Sequence, residues 1–242
     1  MTVPLYWQDA YLKEFDSTIE RVEANGIVLR ETAFYPTGGG APNDTGKLIV
    51  NGEEFRVTDV KKEGGEIIHL VDSEIRAHPG DRVHGTIDWD RRYHVMRYHT
   101  ALHLLDAVIE RGNPGCRITG GQIFVDRARM DLDFPELNRE LAQKVIDEAN
   151  AAAREGHRVV ARTISRADAL RMPNLARTEP GRLMIMGMSN VRLIEIEGLD
   201  VQMDGGIHVA DTKEIGRILF NAYENKGTHR KRLDVVLEDL PS

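Results

Sequence analysis

Two histidines stand four residues apart in a run with helical spacing. Residues 91–112 carry apolar side chains at the period of an α-helix and end at Gly112. On such a helix, His99 and His103 lie on one face, one turn apart, where they can bind a single metal ion. A histidine on a helix more often packs against its neighbours or lies at the surface than binds a metal, so this spacing alone is weak evidence for a metal site. Three neighbouring leucines strengthen it, because they predict a helix buried on nearly all sides, where unpaired imidazoles are costly.

The second group of candidate ligands is a turn. Asp204 and His208 flank Gly205 and Gly206, which let the backbone turn tightly and bring a carboxylate and an imidazole towards one point. A hairpin turn with a chance histidine explains the same residues. Together, helix and turn supply three nitrogen ligands and one candidate oxygen ligand, a set that suits zinc with one position left for water. We therefore predict one Zn²⁺ per chain.

Other kinds of site fit this sequence less well. Thr100 follows the first histidine of the pair, and no glutamate lies between the two, so this is not the HExxH motif of metalloproteases. The single Cys116 excludes an internal disulfide and any site built from several thiolates. A metal must therefore be held by histidine and carboxylate.

The first third of the chain has the pattern of a small antiparallel β-domain. Between residues 16 and 89, short alternating runs are separated by Asn-Gly at 25–26 and 51–52 and by Gly-Gly at 64–65, which are hairpin signals. Residues 34–46 are too rich in glycine and proline for regular structure and predict a loop. We expect a β-barrel-like domain over residues 1–88.

The rest of the chain mixes strands with long helices. A second long helix is expected from about Pro135 to Glu155, and a short one opens at Ser165 with Asp168 three residues later. Without regular alternation of strand and helix, this arrangement argues for an α+β fold. Residues 89–242 are thus expected to form an α+β domain in which two long helices cover an antiparallel sheet, with the zinc between helix and sheet.

Charge and hydropathy indicate the setting in which the protein works. No run approaches the roughly 20 apolar residues of a membrane-spanning helix, and the N-terminus lacks the pattern of a secretory signal. We therefore expect a cytoplasmic protein with no membrane partner. The net charge of −7 disfavours a nucleic-acid partner. Basic residues nevertheless gather in residues 91–97 and 226–232, and each group on its own is as readily a solvated face.

Five motifs, in order along nearly the whole chain, resemble the alanyl-tRNA editing proteins, which are similar to the editing domain of alanyl-tRNA synthetase. They are FYPTGGG at 34–40 with DTG at 44–46, DRR at 90–92 with HTALHLL at 99–105, DRARMDLDF at 126–134, GGIHV at 205–209 with EIG at 214–216, and ENKG at 224–227.

This resemblance implies an enzyme that hydrolyses the ester joining serine, or glycine, to tRNA(Ala), and it makes residues 89–242 the editing domain. It implies zinc ligands at His99, His103, Asp204 and His208. The family usually has cysteine where this chain has Asp204, so Asp204 is a metal ligand, a partner that orients a ligating histidine, or a base. Zinc polarises either a water molecule or the ester carbonyl.

The sequence predicts the residues that contact the substrate less specifically than the metal ligands. Serine differs from alanine by a hydroxyl that a polar group can recognise, and Thr100 is a candidate for that contact and, with Asp204, a candidate catalytic residue. A Thr100 hydroxyl bonded to its own helix backbone is equally compatible. Gln122 and Asp126 are weaker pocket candidates.

Contacts to tRNA are expected at two places. Gly38, Gly39 and Gly40 let RNA backbone approach closely, or merely connect two barrel strands. Lys226, Arg230 and Arg232 are candidate phosphate contacts. The expected partner is mischarged tRNA(Ala). Two rival functions are a non-catalytic tRNA-binding relative with a structural zinc, and a hydrolase for a different aminoacyl-tRNA or a small ester.

Overall fold

The computed structural model describes residues 1–113, 116–135, 137–172, 175 and 179–238. The chain divides into two compact units, Met1–Val95 and Met96–Ser242. The division falls inside a long helix, so the domain boundary expected after residue 88 stays a prediction. None of the helices in the described part of the chain has the length and apolar character needed to cross a membrane.

The first unit is a closed antiparallel barrel with a short parallel pair beside it. Its strands are β1 (Val3–Pro4), β2 (Glu14–Val22), β3 (Gly26–Leu29), β4 (Glu31–Thr32), β5 (Gly46–Val50), β6 (Glu53–Glu63), β7 (Glu66–Val71) and β8 (Arg82–Ile87), with a 3₁₀ turn at Leu5–Trp7. The barrel strands follow the order β2-β3-β7-β6-β5-β8, and β1 pairs with β4.

The barrel hairpins lie where the sequence predicts them. Asn51 and Gly52 have φ of 52° and 84°, and Gly64 and Gly65 have φ of 56° and 86°. Positive φ at both central residues is the turn geometry that matches the twist of the flanking strands, and it favours asparagine and glycine. The predicted β-barrel is therefore confirmed.

The second unit combines helices with two antiparallel sheets. The elements are α1 (Trp89–Gly112, which begins in the first unit), β9 (Arg117–Ile123), β10 (Ala128–Asp133), α2 (Arg139–Glu155), β11 (Val159–Ser165), α3 (Arg166–Ala169), α4 (Glu179–Gly187), β12 (Asn190–Ile196), β13 (Asp200–Met203), a 3₁₀ turn (Thr212–Ile215), β14 (Ile218–Asn225) and β15 (Arg230–Leu237). The two sheets have the strand orders β14-β15-β10-β9 and β11-β12-β13, and the mixture of helices and antiparallel sheets confirms the α+β class.

Helix α1 is the buried helix that the sequence predicts. Every residue from 95 to 106 is buried, including both histidines of the pair. A helix that is apolar on nearly all sides has no stable place at a surface. Any polar side chain on this stretch therefore needs a partner inside the protein.

Several boundaries differ from the expectation. Helix α2 begins at Arg139 rather than near Pro135, because the Asn138 side chain accepts a hydrogen bond from the Leu141 amide (2.8 Å) and caps the helix there. Glu136, in the expected first turn, lies outside the described residues. Strand β13 and helix α4 are not predicted from the sequence. Helix α4 carries Pro180 and a glycine in its first turn, which weakens the sequence signal.

Candidate metal centre

The helix places two imidazoles side by side in the interior. His99 and His103 are both buried, and their ring centroids lie 5.1 Å apart in an edge-to-face arrangement. The one-turn spacing of the two residues produces this neighbourhood, as the sequence predicts.

The loop after β13 brings the other two side chains to the same place. Arg192, on β12, donates hydrogen bonds to the carbonyl oxygens of Asp204 (3.0 Å) and Gly206 (2.9 Å) and so fixes the loop backbone. The Asp204 carboxylate accepts a hydrogen bond from the Gly206 amide (2.9 Å). His208 follows, with Nε2 2.8 Å from Asp204 Oδ2 and its ring stacked 4.2 Å from that of His99.

Gly206 is needed for a reason that the sequence does not show. Its φ is not positive, so turning does not require glycine here. A Cβ on Gly206, however, would lie 2.5 Å from Nδ1 of His99, closer than real Cβ atoms come to a neighbour. A Cβ on Gly205 would meet nothing within 4 Å. The absence of a side chain at Gly206 is therefore what admits the His99 ring.

The four side chains form one cluster that could hold a metal ion. One ligand atom from each of His99, His103, Asp204 and His208 lies within 4.8 Å of all the others. These four side chains would hold the ion, and nitrogen and oxygen are ligand atoms that zinc takes in proteins. Nδ1 of His99 is buried without a hydrogen-bond partner among the described residues. Three imidazoles and one carboxylate at this spacing are a donor set that fits a bound zinc ion.

The electrostatics agree with such an ion. Burial lowers the pKa of His208 to about 4, helped by repulsion from His99. His208 is therefore neutral at pH 7, the form in which histidine binds metals. Burial by itself raises the pKa of Asp204, but attraction to His99 and the hydrogen bond with His208 outweigh it and hold that pKa well below its usual range. Asp204 is thus an ionised carboxylate beside the neutral ring of His208.

Three hydrogen-bonded polar residues lie next to His103. Asp200 Oδ2 lies 4.0 Å from His103 Nδ1, and the Gln202 amide donates to both Asp200 (2.7 Å) and Asp106 (2.5 Å). A carboxylate beyond a ligating imidazole commonly sets the orientation of the ring. Sequence reasoning missed these residues; the alternation of Asp200 and Gln202 on one short strand is the only signal that could have found them.

Comparison with known proteins decides the family. Residues 8–91 match the model for tRNA synthetases class II (A), and residues 191–233 match the threonyl and alanyl tRNA synthetase second additional domain. An alanyl-tRNA editing protein AlaX-M from Saccharolobus solfataricus is 42% identical over 96% of this chain and 98% of its own length. The chain belongs to the alanyl-tRNA editing protein family. A relative of the same name from Methanosarcina mazei is 40% identical over all of this chain and 99% of its own. The alanine–tRNA ligase of Thermococcus kodakarensis is 37% identical over 90% of this chain and 24% of the ligase.

Membership in the alanyl-tRNA editing protein family confirms the resemblance carried by the motifs. The candidate substrate residues of this family member occupy three different settings. Thr100 is fully buried, and its hydroxyl donates to the Met96 carbonyl (3.0 Å). Gln122 is half-buried on β9, and Asp126 is exposed in the turn that follows, where its backbone carbonyl accepts a hydrogen bond from Tyr98. Their roles towards a substrate stay predictions.

The triple glycine forms a tight turn in the first unit. Gly38 and Ala41 exchange backbone hydrogen bonds of 3.1 and 2.9 Å, and Gly39 and Gly40 have φ of 59° and 81°. These values favour glycine, because other residues rarely adopt them. The geometry accounts for the glycines as a turn, and a contact with RNA stays a prediction.

The two basic groups differ in what they do in the fold. Arg92 is fully buried and binds Asp44 with Nε at 2.9 and 3.1 Å, while buried Arg97 donates to the carbonyls of Ile215 (2.9 Å) and Glu238 (2.7 Å). The first group is therefore largely structural, neither a solvated face nor an RNA surface.

The second group is only partly exposed, because Lys231 is buried and the Arg232 side chain is 16% exposed. Arg230 is exposed and forms no ion pair with the described residues, whereas Lys226 pairs with Glu224 (3.0 Å) and Arg232 binds Asp131 through two nitrogens (2.7 and 3.0 Å). Only one of the three candidate phosphate contacts is thus uncommitted within the described chain.

Proposed function

We propose that this protein hydrolyses the ester bond of tRNA(Ala) mischarged with serine, and of tRNA(Ala) mischarged with glycine, with one zinc ion. The observation that carries the proposal is the cluster of four ligand atoms within 4.8 Å of one another. It occurs in a chain similar along its whole length to proteins named for alanyl-tRNA editing. The reaction would take place in the cytoplasm, where charged tRNA is used.

Each side chain of the cluster has a defined part. His99, His103 and His208 each offer a ring nitrogen, and Asp204 offers a carboxylate oxygen that accepts a hydrogen bond from the Gly206 amide. Zinc, when bound, supplies a Lewis acid for an ester carbonyl or a water molecule. If its carboxylate is not committed to the ion, Asp204 can instead accept a proton from the attacking water.

Serine must be distinguished from alanine by its hydroxyl. A site that hydrogen-bonds this group leaves a buried polar atom unpaired when alanine binds, and this penalty can discriminate strongly between the two. Thr100 is the first candidate for such a contact, and half-buried Gln122 and exposed Asp126 are weaker candidates.

A panel of charged tRNAs tests the proposal. The purified protein is expected to release serine from Ser-tRNA(Ala) and glycine from Gly-tRNA(Ala), and to leave Ala-tRNA(Ala) and Ser-tRNA(Ser) intact. Binding of tRNA without release of any amino acid would instead support the non-catalytic relative. Release from a different aminoacyl-tRNA, or only from small esters, would keep the hydrolase and reject the substrate.

Contacts to tRNA can be tested separately. Replacing Lys226, Arg230 and Arg232 with glutamine is expected to weaken tRNA binding and to reduce the slope of log affinity against log salt by about one for each lost phosphate contact. The ion pairs of Lys226 and Arg232 make Arg230 the largest single contributor.

The matched control replaces three exposed basic residues of the first unit that are also paired with glutamates: Arg30, Lys47 and Arg76. It removes the same charge from another part of the protein. Equal loss of affinity in both triple variants would show that only net charge matters and that residues 226–232 are not a specific contact.

A further inference from the structure

The Thr100 hydroxyl joins helix α1 to the loop that carries His208. Its oxygen lies 3.0 Å from the Met96 carbonyl, 3.2 Å from the Val209 amide nitrogen and 3.2 Å from Nδ1 of His208. Thr100 is fully buried, and the other three groups belong to buried residues. Water therefore does not compete for these contacts.

The hydrogens at this oxygen can be assigned by counting. A hydroxyl has one hydrogen to donate and two lone pairs to accept with. The Val209 amide can only donate, so it uses one lone pair. When a metal ion binds Nε2 of a neutral histidine, the ring proton lies on Nδ1, and at His208 the second lone pair of Thr100 accepts it. The hydroxyl hydrogen then goes to Met96, and all three contacts are satisfied together.

We propose that Thr100 is a positioning residue that holds His208 in the form with Nε2 presented to the metal. The same oxygen fastens the loop ligands, Asp204 and His208, to the helix that bears His99 and His103. This assignment rests on the proposed zinc centre and gives Thr100 a role through His208 rather than through the substrate.

Two substitutions separate the hydroxyl from the shape of the side chain. Thr100→Val keeps the volume and removes the hydroxyl, whereas Thr100→Ser keeps the hydroxyl. Competition titration with a chelator of known affinity is expected to show zinc binding weakened about 10- to 100-fold in Thr100→Val and by less than about threefold in Thr100→Ser. Equal zinc affinity in the wild type and Thr100→Val would overturn the proposal.

A second measurement locates the ring proton of His208 directly. In the zinc-loaded, ¹⁵N-labelled wild type, NMR is expected to show His208 metal-bound at Nε2 with a slowly exchanging proton on Nδ1. Thr100→Ser keeps this signal, and Thr100→Val shows faster exchange. Zinc bound through Nδ1, or no zinc at His208, would reject the assignment. Zinc affinity and proton position are read without any tRNA, so failure here is distinguishable from a failure to deacylate Ser-tRNA(Ala).

Discussion

Buried histidines occur in both units of this protein, and their surroundings differ. In the barrel, His69 is fully buried, with Nδ1 2.8 Å from the Ile27 carbonyl and Nε2 2.8 Å from the Thr32 hydroxyl. In the second unit, His99 and His208 stack 4.2 Å apart beside the part-buried carboxylate of Asp204, and Nδ1 of His99 has no hydrogen-bond partner among the described residues. Both nitrogens of His69 are satisfied by the protein alone, whereas the cluster gathers four ligand atoms that could hold a cation.

The contrast shows which property marks a metal site. Burial lowers the pKa of both His69 and His208 to about 4, so depth and pKa do not distinguish them. The partners of the ring nitrogens do. A histidine that donates to a carbonyl and accepts from a hydroxyl is part of the core, whereas adjacent imidazoles that face a carboxylate form a candidate metal centre.

The largest difference in effect is expected when a buried histidine of the cluster and the buried histidine of the barrel are each replaced by alanine. His99→Ala and His208→Ala should lose bound zinc and lower deacylation of Ser-tRNA(Ala) at least about a thousandfold, because several kcal/mol of transition-state stabilisation are lost. His69→Ala should keep one zinc per chain and lower only the unfolding temperature. Elemental analysis and single-turnover deacylation check this. Zinc loss in His69→Ala with zinc retained in His99→Ala would reverse the comparison.

The next test displaces the His99 imidazole without removing it. Gly206→Ala places a Cβ 2.5 Å from His99 Nδ1 and must displace the imidazole, so deacylation should fall about a hundredfold, the cost of a displacement near 1 Å. Gly205→Ala is the matched control, because a Cβ there meets nothing within 4 Å. Equal rates in the two variants would show that contact between Gly206 and His99 does not position the metal ligand.

Three substitutions of Asp204 test whether its carboxylate binds the metal or acts as a base. If it binds the metal, Asp204→Ala should weaken zinc binding roughly 10- to 100-fold, and Asp204→Cys should retain zinc. If it is a base, Asp204→Asn should hold zinc and lose most of the deacylation rate, because an amide cannot take a proton. Zinc content and rate are measured side by side for the three variants. Wild-type values in all three would leave Asp204 as a turn residue only.

The smallest effect concerns His69 and pH. Its pKa is about 4 in the folded protein, below the ordinary 6.5, so the unfolded chain takes up the proton first as pH falls. Stability from His69 is complete above pH 6.5 and is lost down to about pH 4, which amounts to about 2 kcal/mol between pH 7 and pH 5. Denaturant unfolding of the wild type and His69→Gln should show a shallower pH dependence in the variant. Parallel pH profiles would contradict the assignment.

The sequence was informative where a local pattern sets the structure. Glycine pairs predicted the barrel hairpins, helical spacing predicted α1, and the offset of four placed His99 and His103 together. The turn from Asp204 to His208 was found because its ligand types are the ones that zinc prefers. These features depend on neighbours along the chain, which a sequence displays directly.

What the sequence did not reveal depends on contacts between distant segments. Arg92 and Arg97 looked like surface charge, but Arg92 binds Asp44 and Arg97 binds backbone carbonyls in the interior. Gly206 looked like a turn residue, although its contact with His99 is what requires glycine. Thr100 bonds to a loop more than one hundred residues later in the chain. No local spacing encodes such pairings.

The central claim is that the buried histidine cluster is a metal centre that serves ester hydrolysis. Its most direct test is to remove zinc stepwise from the wild-type protein with a chelator, measure zinc content and Ser-tRNA(Ala) deacylation on the same samples, and then add zinc back. The deacylation rate should fall in proportion to bound zinc, approach that of His99→Ala at zero zinc, and return on addition of one equivalent. A full rate in protein with no metal would contradict the claim.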